Sequence, residues 1–453
     1  MNHALKAKEF LNNTSFASWQ DNALWFVRQK RDNAIKELKE WESLREQADN
    51  IKAHTLSNLD IYLEEFEKNA INNGLKVHWA KDALEHNQIV YKILKENSAK
   101  KVVKSKSMLT EECHLNPFLE NEGIEVIDTD LGERIIQLRG EKPSHIVLPA
   151  IHLKKEQVAQ TFEKFLHTKK GNSDPTYLTK KARVHLREKF LNADASITGV
   201  NFAVSESGSF VVCTNEGNAD MGTSLTKLHI ACMGIEKIIP KVGHLGVFIR
   251  MLARSATGQS ITTYTSHYTK PAKDTQIHIV IVDNGRSKIL SQKDFVKSLQ
   301  CIRCGACMNT CPIYRRSGGH SYSYTIPGPI GSLLGSNRDL KYNGDSAFAS
   351  TLCGSCVDIC PVKIDITHQL LSYRKDFVKQ GYLSSSKKYT LKVATFIFLY
   401  PVLTKLVFKT AKFFMPLIPK KILYSKYNIW GRGREMPTLA KKSFSDIYKK
   451  MKK

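Results

Sequence analysis

Apolar positions recur at helical spacing through the first 70 residues. Trp25, Phe26, Ile35, Leu38 and Trp41, then Leu56, Leu59, Tyr62, Leu63 and Phe66, alternate with charged residues and predict an N-terminal helical region over 1–70. Beyond it the pattern changes to short apolar runs of strand length: KKVVK (100–104), IEVID (124–128), HIVLP (145–149), GSFVVCTN (208–215), IEKIIP (235–240) and IHIVIVD (277–283). Amphipathic stretches at 154–167 and 179–191 read as helices between them. Strands alternating with helices predict an α/β domain with a substantially parallel sheet over 71–290. Residues 291–380 lose periodicity and are rich in Gly and Pro, whereas 381–453 return to helical spacing. The expected class is multidomain α/β.

Charge sharpens the picture of the tail. The chain carries a net +25, but residues 381–453 alone hold 17 Lys and Arg against Glu435 and Asp446, a net +15, leaving +10 on the first 380. At 100° per residue, Lys405, Lys409 and Lys412 share one helix face, while Leu403, Leu406, Val407, Ala411 and Phe414 centre on the other. Such a helix suits peripheral contact with an anionic membrane, or ordinary packing on the cysteine-rich module with its lysines turned to solvent. No base-reading motif or stacking platform accompanies the charge, so no nucleic-acid partner is expected. The run VATFIFLYPVLT (393–404) falls short of the roughly 20 residues that a spanning helix needs, and Pro401 interrupts it. The start, MNHALKAKEFLNN, lacks the apolar core of a secretory signal, so a cytoplasmic location is expected, with peripheral contact at the inner face of the membrane as an option.

Seven of the ten cysteines crowd into 301–360. Cys301, Cys304, Cys307 and Cys311, followed by Pro312, have the C-x2-C-x2-C-x3-C-P spacing of the ligand run in bacterial ferredoxins. Shifting the chain by 49 residues lays Cys304 on Cys353, Cys307 on Cys356, Cys311 on Cys360 and Pro312 on Pro361, but Cys301 on Ser350. In two-cluster ferredoxins the fourth cysteine of each run ligates the other cluster. One iron–sulfur cluster would then take Cys301, Cys304, Cys307 and Cys360, and the second Cys311, Cys353 and Cys356. With three thiolates the second cluster is [3Fe-4S], or [4Fe-4S] with Ser350, water or another group on its fourth iron. Zinc is the competing reading, but a tetrahedral site needs four ligands rather than seven in two offset copies. The lone Cys113, Cys213 and Cys232 read as buried thiols.

Around these cysteines the sequence resembles the lactate-utilisation protein B family (LutB, also YkgF). The stretches that carry the resemblance are CIRCGACMNTCPIYRRSGGHSY (301–322), YTIPGPIG (324–331) and LCGSCVDICPVKIDI (352–366). Upstream they are HTLSNLDIYLEEFE (54–67), KVVKSKSMLTEE (101–112), NFAVSESGSFVVCTNEGNA (201–219) and HIACMGIEKIIP (229–240), which are similar to that family's LUD domain. Downstream, IWGRGREMPTLAKKSFSDIY (429–448) resembles its C-terminal region. The resemblance implies a NagB/RpiA/CoA-transferase-like α/β domain over 71–290, N-terminal helices over 1–70, a ferredoxin-like module with two [4Fe-4S] clusters over 291–380 and a basic helical tail over 381–453. It implies an electron-transfer component of an L-lactate dehydrogenase-type complex. The implied partners are a cysteine-rich CCG-type protein and a second LUD protein, with quinone at the membrane as an eventual acceptor.

Weaker features remain. Lys104 and Lys106 follow a predicted strand, and with Glu206 and Asn215 they are candidates for an anion or substrate pocket. That pocket supports a rival in which the α/β domain itself acts on a hydroxy or keto acid; a second rival is a scaffold or redox-responsive protein with structural clusters. Of His54, His229, His244, His267 and His320, only His320 lies between the cysteine runs, and it is the candidate cluster-proximal donor. The insert 313–349 reads either as mere connection or as a long ordered loop that serves as a docking face. No G-x-G-x-x-G fingerprint supports a nucleotide cofactor.

Overall fold

A computed structural model describes residues 3–424, 440 and 442–451. The chain forms two units, Met1–Lys379 and Gln380–Lys453. Ten strands lie in the first: β1 (Lys76–Ala80), β2 (Lys101–Lys104), β3 (Glu125–Asp128), β4 (Ala195–Gly199), β5 (Phe202–Val204), β6 (Ser209–Thr214), β7 (Leu228–Gly234), β8 (Ile238–Ile239), β9 (Tyr264–Tyr268) and β10 (Gln276–Val282). Six of them form a sheet in the order β1-β10-β7-β4-β2-β3, parallel throughout. Central β7 is buried at every position, as expected of a parallel strand covered on both faces. A second sheet, β8-β5-β6-β9, is mostly antiparallel, so GSFVVCTN is a strand but not of the parallel sheet.

Four N-terminal helices, α1 (His3–Asn12), α2 (Thr14–Lys36), α3 (Trp41–Ser57) and α4 (Leu59–Asn72), fill the region predicted helical. Leu24, Trp41, Leu56, Leu59, Leu63 and Phe66 enter one continuous core with β5, β6 and the cysteine segment. Trp25 and Phe26 stay largely exposed. Two sequence expectations are corrected here. HIVLP is not a strand: Ser144 N–H and Oγ both bond the Pro149 carbonyl, closing 144–149 into a loop. The insert 313–349 is not a long loop: it contains the helix Gly328–Arg338, which buries nearly every residue, with Ile330 and Leu333 in the main core.

In the second unit, Ser385–Leu399 and Pro401–Phe414 are helices with no buried residue. Pro401 starts the second helix, where its missing N–H costs nothing. No single helix among the described residues is long and apolar enough to cross a membrane; the bent pair Ser385–Leu399 and Pro401–Leu417 meets that test jointly, at an angle of 107°. The stretch 429–448 lies largely outside the described residues.

Candidate metal centre

The two cysteine repeats fold alike. Cys307 rides on a short helix, Ala306–Thr310, and Cys356 on its counterpart, Ser355–Asp358. Each loop enters the left-handed region twice at positions 49 residues apart: Arg303 (φ +62°) with Leu352 (+55°), and Gly305 (+75°) with Gly354 (+85°). Glycine is needed at the second position of each pair, where a side chain is strained. At Gly305 a Cβ would also lie 3.0 Å from the His145 ring.

Cys304, Cys307, Cys311, Cys356 and Cys360 are buried, Cys301 is partly buried and Cys353 is exposed. The repeats are joined, since the two short helices pack together and Thr310 Oγ1 lies 2.6 Å from Ser355 Oγ. Their thiols act on one another within and between the repeats. Burial raises the Cys304 thiol to about 12, against the Ala306 amide, with Cys301 and Cys360 adding to the rise. Burial lifts Cys360 to about 11 with Cys301 contributing. Cys356 rises to about 12 through burial, then Cys311, Cys353 and, least, Cys360. Cys307, raised by burial and then by Cys301 and Cys304, also feels Cys356, so the two repeats adjoin. Protons held this firmly must leave as metal arrives.

The donor set fits an iron–sulfur group. Backbone N–H groups point at sulfur: Arg303 to Cys301 Sγ (3.4 Å), Tyr314 to Cys311 Sγ (3.5 Å) and Ile364 to Cys360 Sγ (3.4 Å). Such donors stabilise thiolate and set cluster potential. Among the described residues no three His, Cys, Asp or Glu side chains converge on the spacing of a single metal ion. A cluster attaches its thiolates to separate irons and calls for a wider cage.

Basic side chains that the sequence reading missed surround this cage. From α2, Arg28 reaches Thr310 Oγ1 and Arg31 donates to the Ile359 carbonyl at 3.0 Å. From α3, Arg45 donates to the Cys360 carbonyl at 3.0 Å, and Lys52 to the Glu236 carbonyl at 2.5 Å. Burial, only partly offset by Glu236, lowers Lys52 to about 8. Their positions on N-terminal helices far from the cysteines in sequence hid this role. His145, not His320, is the histidine against the first loop. Its Nδ1 accepts from Val147 and Leu148 N–H, and its Nε2 lies 3.0 Å from Asn309 Oδ1. Burial lowers it to about 4, so it is neutral. His320 instead bonds the Lys142 carbonyl and packs edge-on against His152.

A cavity of about 290 Å³ opens at the carboxyl ends of β4 and β7 and reaches Cys304. This is where open α/β sheets hold ligands. Lys106, Asn215, Glu216, Lys237 and Arg303 line it. Two of the four pocket candidates are therefore together, and two are elsewhere. Lys104 is wholly buried beneath, 2.8 Å from Asp128, 3.3 Å from Glu111 and 3.8 Å from Glu133. Glu206 sits at a turn, accepting from Val242 N–H. Lys106 is held by Asp130 (3.1 Å) and the Val147 carbonyl (3.0 Å). Arg303, within the first cysteine run, pairs with Glu236, which also pairs with Arg286. Although burial alone would raise it, Arg286 and then Arg303 hold Glu236 down at about 2. The sequence signal for Arg303 was its place between two ligand cysteines.

Comparison with known proteins follows the same division. The LUD domain model matches residues 63–289, and the 4Fe-4S dicluster domain model matches 297–364. Lactate utilization protein B of Macrococcus caseolyticus is 47% identical over 79% of this chain and 76% of its own length. The protein of that name from Shouchella clausii is 42% identical over 94% and 92%. The uncharacterized electron transport protein YkgF of Escherichia coli is 39% identical over 95% and 92%.

Proposed function

The chain belongs to the lactate utilization protein B family, an iron–sulfur electron-transport family of lactate utilisation with a 4Fe-4S dicluster domain, and from that premise we propose how its residues divide the work. Cys301, Cys304, Cys307 and Cys360 hold the first cluster; Cys311, Cys353 and Cys356 hold the second. What supports this is the packing of the two repeats, helix on helix with Thr310 Oγ1 2.6 Å from Ser355 Oγ, which brings the two cysteine runs together, and the crossed ligation that such runs take in two-cluster ferredoxins. When bound, the clusters pass electrons one at a time between a two-electron oxidation and later carriers. The chain's own side chains do the rest. Arg28, Arg31 and Arg45 pin the loops, amide N–H groups neutralise sulfur, and the core around Tyr314 and Ile330 excludes water. The exposure of Cys353 makes the second site the contact for a partner, which we take to be the CCG-type or second LUD protein of the same complex.

Variants test the crossed assignment. Anaerobically purified protein should contain iron and sulfide for two clusters; Cys360→Ala should remove the first cluster and Cys311→Ala the second, as read by EPR. A colourless, zinc-loaded sample would contradict it.

The LUD domain, whose sheet we read as NagB/RpiA/CoA-transferase-like, carries a second reading. The cavity that reaches Cys304 binds a small hydroxy or keto acid through Lys106 and Asn215. Lactate or pyruvate binding to the holoprotein by calorimetry, weakened at least tenfold by Lys106→Ala, would support it; no binding would end it. The basic tail, with every described residue of its two long helices at least partly exposed, we assign to peripheral contact with the inner face of the membrane in the cytoplasm.

A further inference from the structure

The second cluster site has three cysteines, and the geometry points to Ser350 as its fourth ligand. This rests on the two-cluster reading above and names a residue that the cysteine pattern leaves out.

The argument is the internal repeat carried to the level of backbone and hydrogen bond. Ser350 stands 49 residues after Cys301, in the register that lays Cys304 on Cys353 and Cys311 on Cys360. The chain then follows the same path in both copies. The residue before the second cysteine is left-handed in each, Arg303 at +62° and Leu352 at +55°, and the following glycines are at +75° and +85°. Neither Arg nor Leu adopts that region without constraint, so its recurrence marks a shared loop rather than chance. The decisive contact lies at the first position. The Arg303 N–H donates to Cys301 Sγ at 3.4 Å, and the Leu352 N–H donates to Ser350 Oγ at 3.1 Å. The Ser350 side chain is thus folded back into its own loop as the Cys301 side chain is, with oxygen where its counterpart carries sulfur.

Ser350 is also held. Arg374 donates to the Ser350 carbonyl at 2.7 Å and the Ala347 carbonyl at 2.8 Å, and its guanidinium stacks 5.4 Å from the Phe348 ring centre. These bonds fix the backbone from which the Ser350 side chain projects. As Oγ already accepts from Leu352, its own proton is the one available to leave. Ser350 would hold the fourth iron through Oγ, releasing its hydroxyl proton to solvent with no change of oxidation state. An alkoxide is a harder donor than a thiolate, which makes the second cluster electronically distinct from the first.

The test uses full-length protein purified anaerobically as native chain, Ser350→Ala and Ser350→Cys, with iron analysis, Mössbauer spectra and EPR before and after mild oxidation. The native chain should hold about eight irons, all in [4Fe-4S] clusters. Ser350→Ala should fall to about seven on oxidation and show the signal of an oxidised three-iron cluster. Ser350→Cys should keep its fourth iron under oxidation that strips the alanine variant, with a shifted midpoint potential for the second cluster alone. Alanine-variant iron content and spectra identical to native would overturn the assignment of Ser350, as would a native second cluster that already holds three irons. A native chain with no cluster signals would instead overturn the two-cluster reading beneath it. Should the alanine variant not fold, an unchanged second-cluster spectrum in Ser350→Cys overturns the proposal by itself.

Discussion

At the scale of single residues, burial separates structural charges from those free to meet a ligand. Lys104 looked like a pocket residue because it follows a strand beside Lys106, but β2 turns it into the interior among Asp128, Glu111 and Glu133. Burial opposes its charge, yet the three carboxylates keep its pKa well above that of an ordinary lysine. Lys104→Ala leaves Asp128 and Glu133 buried without a cation and should destabilise the fold by about 3–5 kcal/mol, measured by urea unfolding. Lys106→Ala, on the cavity wall, should cost under about 1 kcal/mol. If the two variants unfold at the same urea concentration, the division drawn here between them is wrong. The dicluster segment was legible because cluster chemistry demands a fixed local spacing of cysteines. Arg31, Arg45 and His145 were not, because they reach the loops only through tertiary packing from 164 residues away or more, a separation that local pattern does not encode.

At the scale of elements, runs with one simple environment were read correctly. IHIVIVD became β10 and KKVVK became β2, since both are covered on two faces by the parallel sheet's helices. HIVLP failed because its apolar residues are buried by a loop lying on the first cysteine helix, and burial by packing looks like burial in a sheet. β1, β4, β5, β7 and β9 were missed: KVHWA and YTSHY are partly exposed, FAV is only three residues long, and ASITG and LHIACMG, though buried, mix Ala, Ser, Gly or Cys into the strand in place of a continuous run of large apolar residues. β7 offers a test of pH dependence. Burial alone lowers His229 to about 3, and its Nε2 lies 2.8 Å from Thr198 Oγ1. Folded, it stays neutral; unfolded, it takes up a proton below about pH 6.5. The unfolded state therefore gains protons as pH falls from 6.5 toward 3, and stability drops by about 1.4 kcal/mol per unit from this group. His229→Gln should flatten the fall in Tm between pH 7 and 5. An unaltered slope would mean that His229 contributes nothing to acid sensitivity.

At the scale of the whole molecule, charge and cofactor sites occupy different units. The redox sites lie in Met1–Lys379, and the +15 tail carries exposed Phe396, Phe398, Leu406, Phe413 and Phe414 among its lysines. Full-length protein should co-sediment with anionic liposomes at least tenfold more than a 1–385 truncation, and added salt should reduce the difference; equal sedimentation would remove the tail from membrane contact. Composition and periodicity set apart the helical, α/β, cysteine-rich and basic stretches of chain, but the first three fall together in one unit, Met1–Lys379. What joins the α/β domain to the cysteine loops could not be read that way, because Glu236, Arg286 and Arg303 form their network only once β7 and the first loop meet. The central claim is electron transport in lactate utilisation, and lactate-dependent EPR of this chain co-purified with its co-expressed partner proteins tests it most directly. Addition of L-lactate under anaerobic conditions should produce the signals of reduced clusters, lost in Cys360→Ala for the first and in Cys311→Ala for the second. Clusters that dithionite reduces and lactate leaves oxidised would contradict it.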